Sequence, residues 1–227
     1  MSDACEQLEF AEPVSHVYNP LTYAWAPHAA YLERFAATGQ TILLGMNPGP
    51  YGMVQTGVPF GEVSMVRDWM GVEAPVQSPA QEHPKRPIQG FACRRSEVSG
   101  KRLWGWAAGR YGSADAFFKR YFVLNYCPLV FMEAGGRNRT PDKLPRAERD
   151  ALYSICDQAL QAAIRALQPS ALIGIGRFAH DKLDKVLDEA RPPLYLAPHP
   201  SPASPVANRG WAPLMDGVVD SADLDQM

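Results

Sequence analysis

Thr41-Ile42-Leu43-Leu44-Gly45-Met46-Asn47-Pro48-Gly49-Pro50-Tyr51-Gly52 decides how this chain is read. Its first four residues form an apolar, partly β-branched run that reads as a buried strand. Prolines and glycines then crowd around a single asparagine. Such a loop is stiff, and its glycines let a ligand come close to the backbone. In open α/β sheets, loops at the carboxyl ends of strands are where ligands are held. Two later segments share this character: Val123-Leu124-Asn125-Tyr126-Cys127-Pro128-Leu129 and Leu196-Ala197-Pro198-His199-Pro200-Ser201-Pro202. Each of the three loops offers one polar side chain: Asn47, Asn125 and His199.

Outward from these loops, helical and extended signals alternate. Strands are predicted at 41–45, 121–125, 171–175 and 194–197. Helices are predicted at 27–38, 63–70, 101–110, 114–119, 145–167, 178–189 and 205–215. In the 145–167 segment, Leu152, Cys156, Leu160 and Ile164 fall on one helical stripe. Strand–helix alternation implies a parallel sheet with helices on both faces, and apolar runs without a polar face agree with that. Residues 74–99 are rich in Pro, Gln and Ser and read as a long excursion, of the kind that is functional or disordered. The sheet topology puts Asn47, Asn125 and His199 along one edge.

Bulk properties narrow the class. The chain has 227 residues, 46% of them hydrophobic and 20% charged, enough for one sizeable core. One domain is expected over residues 1–227, with flexible acidic ends at about 1–12 and 216–227. No apolar run approaches the ~20 residues of a membrane span, and the acidic start lacks the basic and apolar regions of a signal peptide. The expectation is a cytoplasmic protein (nuclear in a eukaryotic cell), monomeric and without membrane attachment. Cys5, Cys93, Cys127 and Cys156 form no close pair, so buried reduced thiols are expected rather than a disulfide framework or a zinc site. The histidines show no metal-ligand spacing either; no metal and no cofactor are expected.

The net charge of −2 conceals a polarity along the chain. Residues 85–120 carry nine basic side chains against Glu97 and Asp115, a local balance of +7. Phe91, Trp104, Trp106 and Tyr111 are interleaved with them. A basic segment with aromatics suits a polyanion; the plainer reading is a solvated face.

The residues 45–62, GMNPGPYGMVQTGVPFGE, resemble the first motif of the single-strand-selective monofunctional uracil-DNA glycosylases. His199-Pro200-Ser201-Pro202 followed by Ala207-Asn208-Arg209-Gly210-Trp211 resembles their second motif, and Asn125-Tyr126-Cys127-Pro128-Leu129 their base-reading strand end. The resemblance implies a three-layer α/β/α fold with a central four-stranded parallel sheet. It also implies hydrolysis of the N-glycosidic bond of uracil and some 5-substituted uracils in single- and double-stranded DNA, without strand cleavage. Carried over residue by residue, Asn47 positions water and His199 stabilises the departing base. Asn125 reads uracil, Phe60 stacks on it, and Met46 and Gly49 border the edge where a 5-substituent sits. The segment after the second motif corresponds to a wedge that enters DNA, which gives Ser201, Ala203, Ser204, Val206, Asn208 and Arg209 as DNA contacts. The first wedge position, often basic in the family, is Ala203 here.

These residue types fit that chemistry. Bond cleavage leaves negative charge on the uracil, and a neutral imidazole N–H aimed at it acts as an oxyanion hole does. An asparagine is a poor base, but orientation counts more than proton abstraction when the sugar is nearly a free cation. A side-chain amide presents one donor and one acceptor, which matches uracil and opposes cytosine. No lysine stands in the first motif to form a Schiff base. Rival readings keep the fold but favour a deaminated purine such as xanthine, or keep the groove as a non-catalytic single-strand DNA-binding module. A phosphate hydrolase lacks support, since no P-loop, acidic metal pair or G-x-S-x-G motif is present.

Overall fold

In a computed structural model of the chain, described at all positions except 189, 190, 226 and 227, the apolar run at Thr41–Gly45 lies at the centre of the molecule. Every residue of that strand is buried. In chain order the strands are β1 (Val14–Tyr18), β2 (Thr41–Gly45), β3 (Tyr121–Asn125), β4 (Val130–Glu133), β5 (Asn138–Arg139), β6 (Leu172–Ile175) and β7 (Leu194–Ala197). The α-helices are α1 (Ser2–Glu6), α2 (Pro20–Tyr23), α3 (Trp25–Phe35), α4 (Met53–Thr56), α5 (Val98–Tyr111), α6 (Ala114–Phe118), α7 (Arg146–Leu167), α8 (Arg177–Val186) and α9 (Ala212–Ser221). A π-helical turn covers Met65–Trp69, where an ordinary helix was expected.

The four expected strands form one parallel sheet in the order β3-β2-β6-β7. Helices flank the sheet, giving the expected α/β/α architecture. On one stripe of α7, Leu152, Cys156, Leu160 and Ile164 are buried, as their spacing requires. All four cysteines are buried free thiols. Among the described residues, no helix is long and apolar enough to cross a membrane.

A second, antiparallel sheet, β1-β4-β5, was not anticipated. Val17 pairs with Phe131 and Tyr18 with Val130 across more than a hundred residues of chain. Neither strand alternates cleanly between apolar and polar residues, so local pattern gave no cue. The helix expected at 178–189 closes at Val186, and Glu189 lies outside the described residues. The helix expected at 205–215 is displaced: Ala207–Arg209 form a 3-10 turn, Gly210 takes φ +128°, and α9 starts beyond it.

Among the described residues of the acidic ends, expected to be flexible, some side chains are buried. Cys5 on α1 and Leu224 after α9 are each 2% exposed. Arg110 on α5 binds Asp216 (2.9 Å), Asp220 (2.5 Å) and Asp225 (2.7 Å). Asp225 also accepts from the hydroxyls of Tyr111 and Tyr121. One cation of the basic segment is thus consumed inside the molecule. Trp104 and Trp106, interleaved with that segment in sequence, are packing residues of the core.

The 74–99 excursion carries little regular structure yet is firmly held. His83 N–H donates to the Tyr18 hydroxyl, which donates to Arg86 O. Gln55, 2% exposed, accepts from Gln89 and Gly90 N–H and donates to Pro87 O and Pro50 O. One side chain therefore ties the excursion to the loop that follows β2. Gln55→Ala strands the buried Gly90 amide and the part-buried Gln89 amide and is expected to lower unfolding free energy by about 2–4 kcal/mol. Urea denaturation checks this; a change below about 0.5 kcal/mol would contradict the clamp.

Candidate active site

The loops after β2 and β3 continue the sheet beyond its strands. Gly45 is paired with Asn125 in register, and Tyr126 and Cys127 N–H then donate to Gly45 O and Met46 O, both at 2.9 Å. This extension sets the two asparagine-bearing loops side by side. The β7 loop joins them across β6. There Gly176, at φ +87°, leaves the room that His199 fills: a Cβ on Gly176 would lie 3.1 Å from that of His199. Trp211 Nε1 donates to Pro198 O (2.7 Å) and Arg102 to Pro200 O (2.9 Å), fixing the loop on either side of His199.

The three polar groups line one cavity of about 320 Å³, together with Met46, Gly49, Phe60 and Ser201. Asn47 Nδ2 donates to Leu129 O (3.1 Å). Its donor end is thereby engaged, and its carbonyl oxygen is left as an acceptor for a small molecule in the cavity. Asn125 Nδ2 donates to Met53 Sδ (3.3 Å), while its Oδ1 is buried with no partner. Orphaned buried acceptors are rare, and this one suits the N–H of a ligand.

His199 Nδ1 accepts from the Ser201 amide at 3.0 Å. The proton of the neutral ring therefore sits on Nε2, which is left to donate. Burial pushes the His199 pKa below the usual histidine range, so the ring is neutral at neutral pH. Phe60 holds φ +53°, a left-handed conformation that costs a large residue energy. Trp104 Nε1 donates to its carbonyl (3.0 Å) and holds that turn. The ring lies against Gly45, where a Cβ would come within 2.5 Å of it, and sits 6.2 Å from the His199 ring.

Sequence reasoning missed Glu97, Ser99, Asn138 and Thr140, which share the cavity wall. Burial, the largest influence, raises the Glu97 pKa, and the nearby Ser99 amide opposes it. Glu97 was visible as one of two acids in a basic stretch, but nothing local told where the excursion would deliver it. Asn138 Oδ1 is a second orphaned acceptor.

The expected wedge residues divide. Ser201 lines the cavity, and its Oγ accepts from Ala203 N–H. Asn208 is committed to the loop itself, donating to Pro202 O (2.8 Å) and accepting from Arg102 (2.9 Å). Ala203, Val206 and Arg209 are exposed and Ser204 is half-buried. Next to Pro50 of the cavity wall in sequence, the Tyr51 ring carries Arg86 and Arg95 over it at 5.2 and 4.3 Å. Among the described residues neither is paired with a carboxylate, unlike Arg110.

A profile of the Uracil DNA glycosylase superfamily matches residues 33–212. The chain is 47% identical to the single-strand selective monofunctional uracil DNA glycosylase of Bos taurus, over 93% of this chain and 79% of that one. It is 49% identical to the Mus musculus protein of the same name, over 90% and 75%. The chain belongs to the single-strand selective monofunctional uracil-DNA glycosylase family. Among solved structures, wild-type SMUG2 of Pedobacter heparinus superposes with a TM-score of 0.72, covering 99% of this chain and 96% of that one. At 16% identity, that likeness speaks for the fold alone.

This family member carries three histidines, His16, His28 and His199, whose pKa burial lowers from the ordinary value, with the neighbouring His83 adding to the effect at His16. Below about pH 6.5 the unfolded chain binds protons at these sites that the folded chain does not. Folding stability is therefore expected to fall as pH drops from 7.5 to 5.5. His199→Gln should lose part of that dependence in urea titrations at the two pH values. An identical dependence in wild type and variant would contradict a neutral His199.

Proposed function

We propose that the chain is a monofunctional DNA glycosylase that hydrolyses the N-glycosidic bond of uracil, and of some 5-substituted uracils, in single-stranded and duplex DNA. The observation that carries this reading is the cavity itself: a free amide oxygen, an orphaned amide oxygen and a tautomer-fixed imidazole N–H face one space.

In this reading the uracil leaves the base stack and enters the cavity. Its face rests on Phe60. Its N3–H donates to Asn125 Oδ1, and its O4 accepts from the second hydrogen of Asn125 Nδ2. Cytosine reverses that pattern and leaves buried groups unpaired. The C1′–N1 bond breaks with its electron pair going to the base, and His199 Nε2–H stabilises the negative charge at O2. Water held by Asn47 Oδ1 adds to C1′, the proton it gives up neutralises the uracil anion, and an abasic sugar and free uracil result. No lysine lines the cavity among the described residues, which supports hydrolysis without a Schiff base or strand cleavage.

DNA is the proposed partner. Arg86 and Arg95 on Tyr51 beside the cavity, with Arg209 and exposed Val206 on the wedge, supply cations and one apolar tip where the strand would pass.

The direct test is an abasic-site assay on a uracil-containing single strand without added metal; absence of abasic product would refute the reading. His199→Leu should lower single-turnover release by ~100-fold or more while DNA binding persists; undiminished release would remove His199 from the mechanism. Arg95→Ala should weaken single-strand binding and flatten its salt dependence by about 0.7 in log–log slope for one lost phosphate contact. An unchanged slope would place the strand elsewhere.

A further inference from the structure

Four large apolar side chains are exposed among the described residues, and one of them, Val206, belongs to the wedge segment. Another is Val98, 40% exposed. A lone exposed valine needs no explanation in general. Val98 has one in its surroundings. It opens α5, and its chain neighbours on both sides, Glu97 and Ser99, line the base cavity.

Helix α5 makes different contacts along two rows of side chains. Gly100 and Trp104, one turn apart, pack on and bind the carbonyl of Phe60. Val98 and Arg102, also one turn apart, share another row, and Arg102 reaches Pro200 O and Asn208 Oδ1 of the histidine loop, both at 2.9 Å. Val98 therefore stands at the cavity rim, on the row of α5 that faces the histidine loop. Past it, α5 and the segment 207–216 enclose a groove of about 670 Å³, lined by Lys101, Arg102, Gly105, Asn208 and Gly210 among others. Lys101 is exposed, and among the described residues no carboxylate pairs with it.

We propose that the DNA strand leaves the base cavity over Val98 and runs into the α5 groove: the base next to the everted uracil lies on the Val98 side chain, and Lys101 holds a phosphate beyond it. The inference rests on the uracil-excision reading above.

Everting one nucleotide takes a stacking partner from each of its neighbours. In a duplex the opposite strand still holds those neighbours; in a single strand nothing does. The uncovered face of such a base is apolar whatever its identity, so an aliphatic side chain at the rim suits any sequence. The groove continues the path with the matching charge. Its lining carries three cations and one carboxylate, Asp216, which Arg110 already binds at 2.9 Å. A phosphate docking on the free ammonium of Lys101 releases counterions and meets no unpaired acid.

The test is single-turnover uracil release against enzyme concentration, which separates half-saturation from the plateau rate. Three single-stranded oligonucleotides are compared: one with normal bases on both sides of the uracil, one with a reduced abasic residue on its 5′ side, and one with that residue on its 3′ side. On the first, Val98→Ser should raise the half-saturating concentration about 5-fold, as uncovering half a valine side chain predicts, with the loss falling on half-saturation rather than on the plateau rate. On one of the two abasic strands, and on one only, Val98→Ser and wild type should coincide. Val98→Leu should stay within about twofold of wild type on all three. The salt dependence of half-saturation should be the same in Val98→Ser as in wild type, and shallower by about 0.7 in log–log slope in Lys101→Ala. An unchanged half-saturating concentration in Val98→Ser, or an equal rise on all three strands, overturns the proposal and leaves Val98 a residue that only shapes the rim. A Lys101→Ala slope equal to that of wild type overturns the path along the groove. Wild-type protein that releases no uracil at all refutes the glycosylase reading and this inference together, whereas uracil release indifferent to Val98 sinks this inference alone.

Discussion

Everything at the cavity depends on the backbone pairing of β2 with β3 running past the ends of both strands. Tyr126 and Cys127 donate to Gly45 and Met46 after the regular ladder has finished. Those two bonds convert separate loops into one rigid floor, on which Asn47 and Asn125 keep a fixed relation. Asn47 is then anchored from below by Leu129, a residue of the opposite loop. Each asparagine owes its position to the neighbouring strand's connection as much as to its own.

Around that floor, the fold supplies rigidity through side chains that satisfy backbone groups. Gln55 joins the first loop to the excursion, Trp104 holds Phe60, and Trp211 with Arg102 holds the histidine loop. Irregular backbone has to place its N–H and C=O groups somewhere, and here buried polar side chains take them up. The strained Phe60 conformation survives because its surroundings over-determine it.

The parallel sheet was legible because fully buried strands are written as short continuous apolar runs. Thr41–Gly45 and Tyr121–Asn125 match expectation at both ends, and the convergence of Asn47, Asn125 and His199 follows from the topology they imply. The β1-β4-β5 sheet was hidden because its partners are distant in sequence and lack alternation. Glu97 was hidden for a different reason: it follows a segment without periodicity that is held by an amide bond to Gln55 and a hydroxyl bond from Tyr18. Within the basic stretch the fate of Arg110 was hidden, because the acids that neutralise it lie about a hundred residues later in the chain. Composition along a sequence does not reveal which charges meet in space.

The three aspartates gathered on Arg110 therefore do more than close the carboxyl-terminal helix. They cancel positive charge on one flank, while Arg86 and Arg95 over the Tyr51 ring have no carboxylate partner among the described residues. A protein with near-zero net charge thereby acquires a lopsided electric field. Charge sorted in this way, rather than spread evenly, is what can turn an approaching polyanion before it touches.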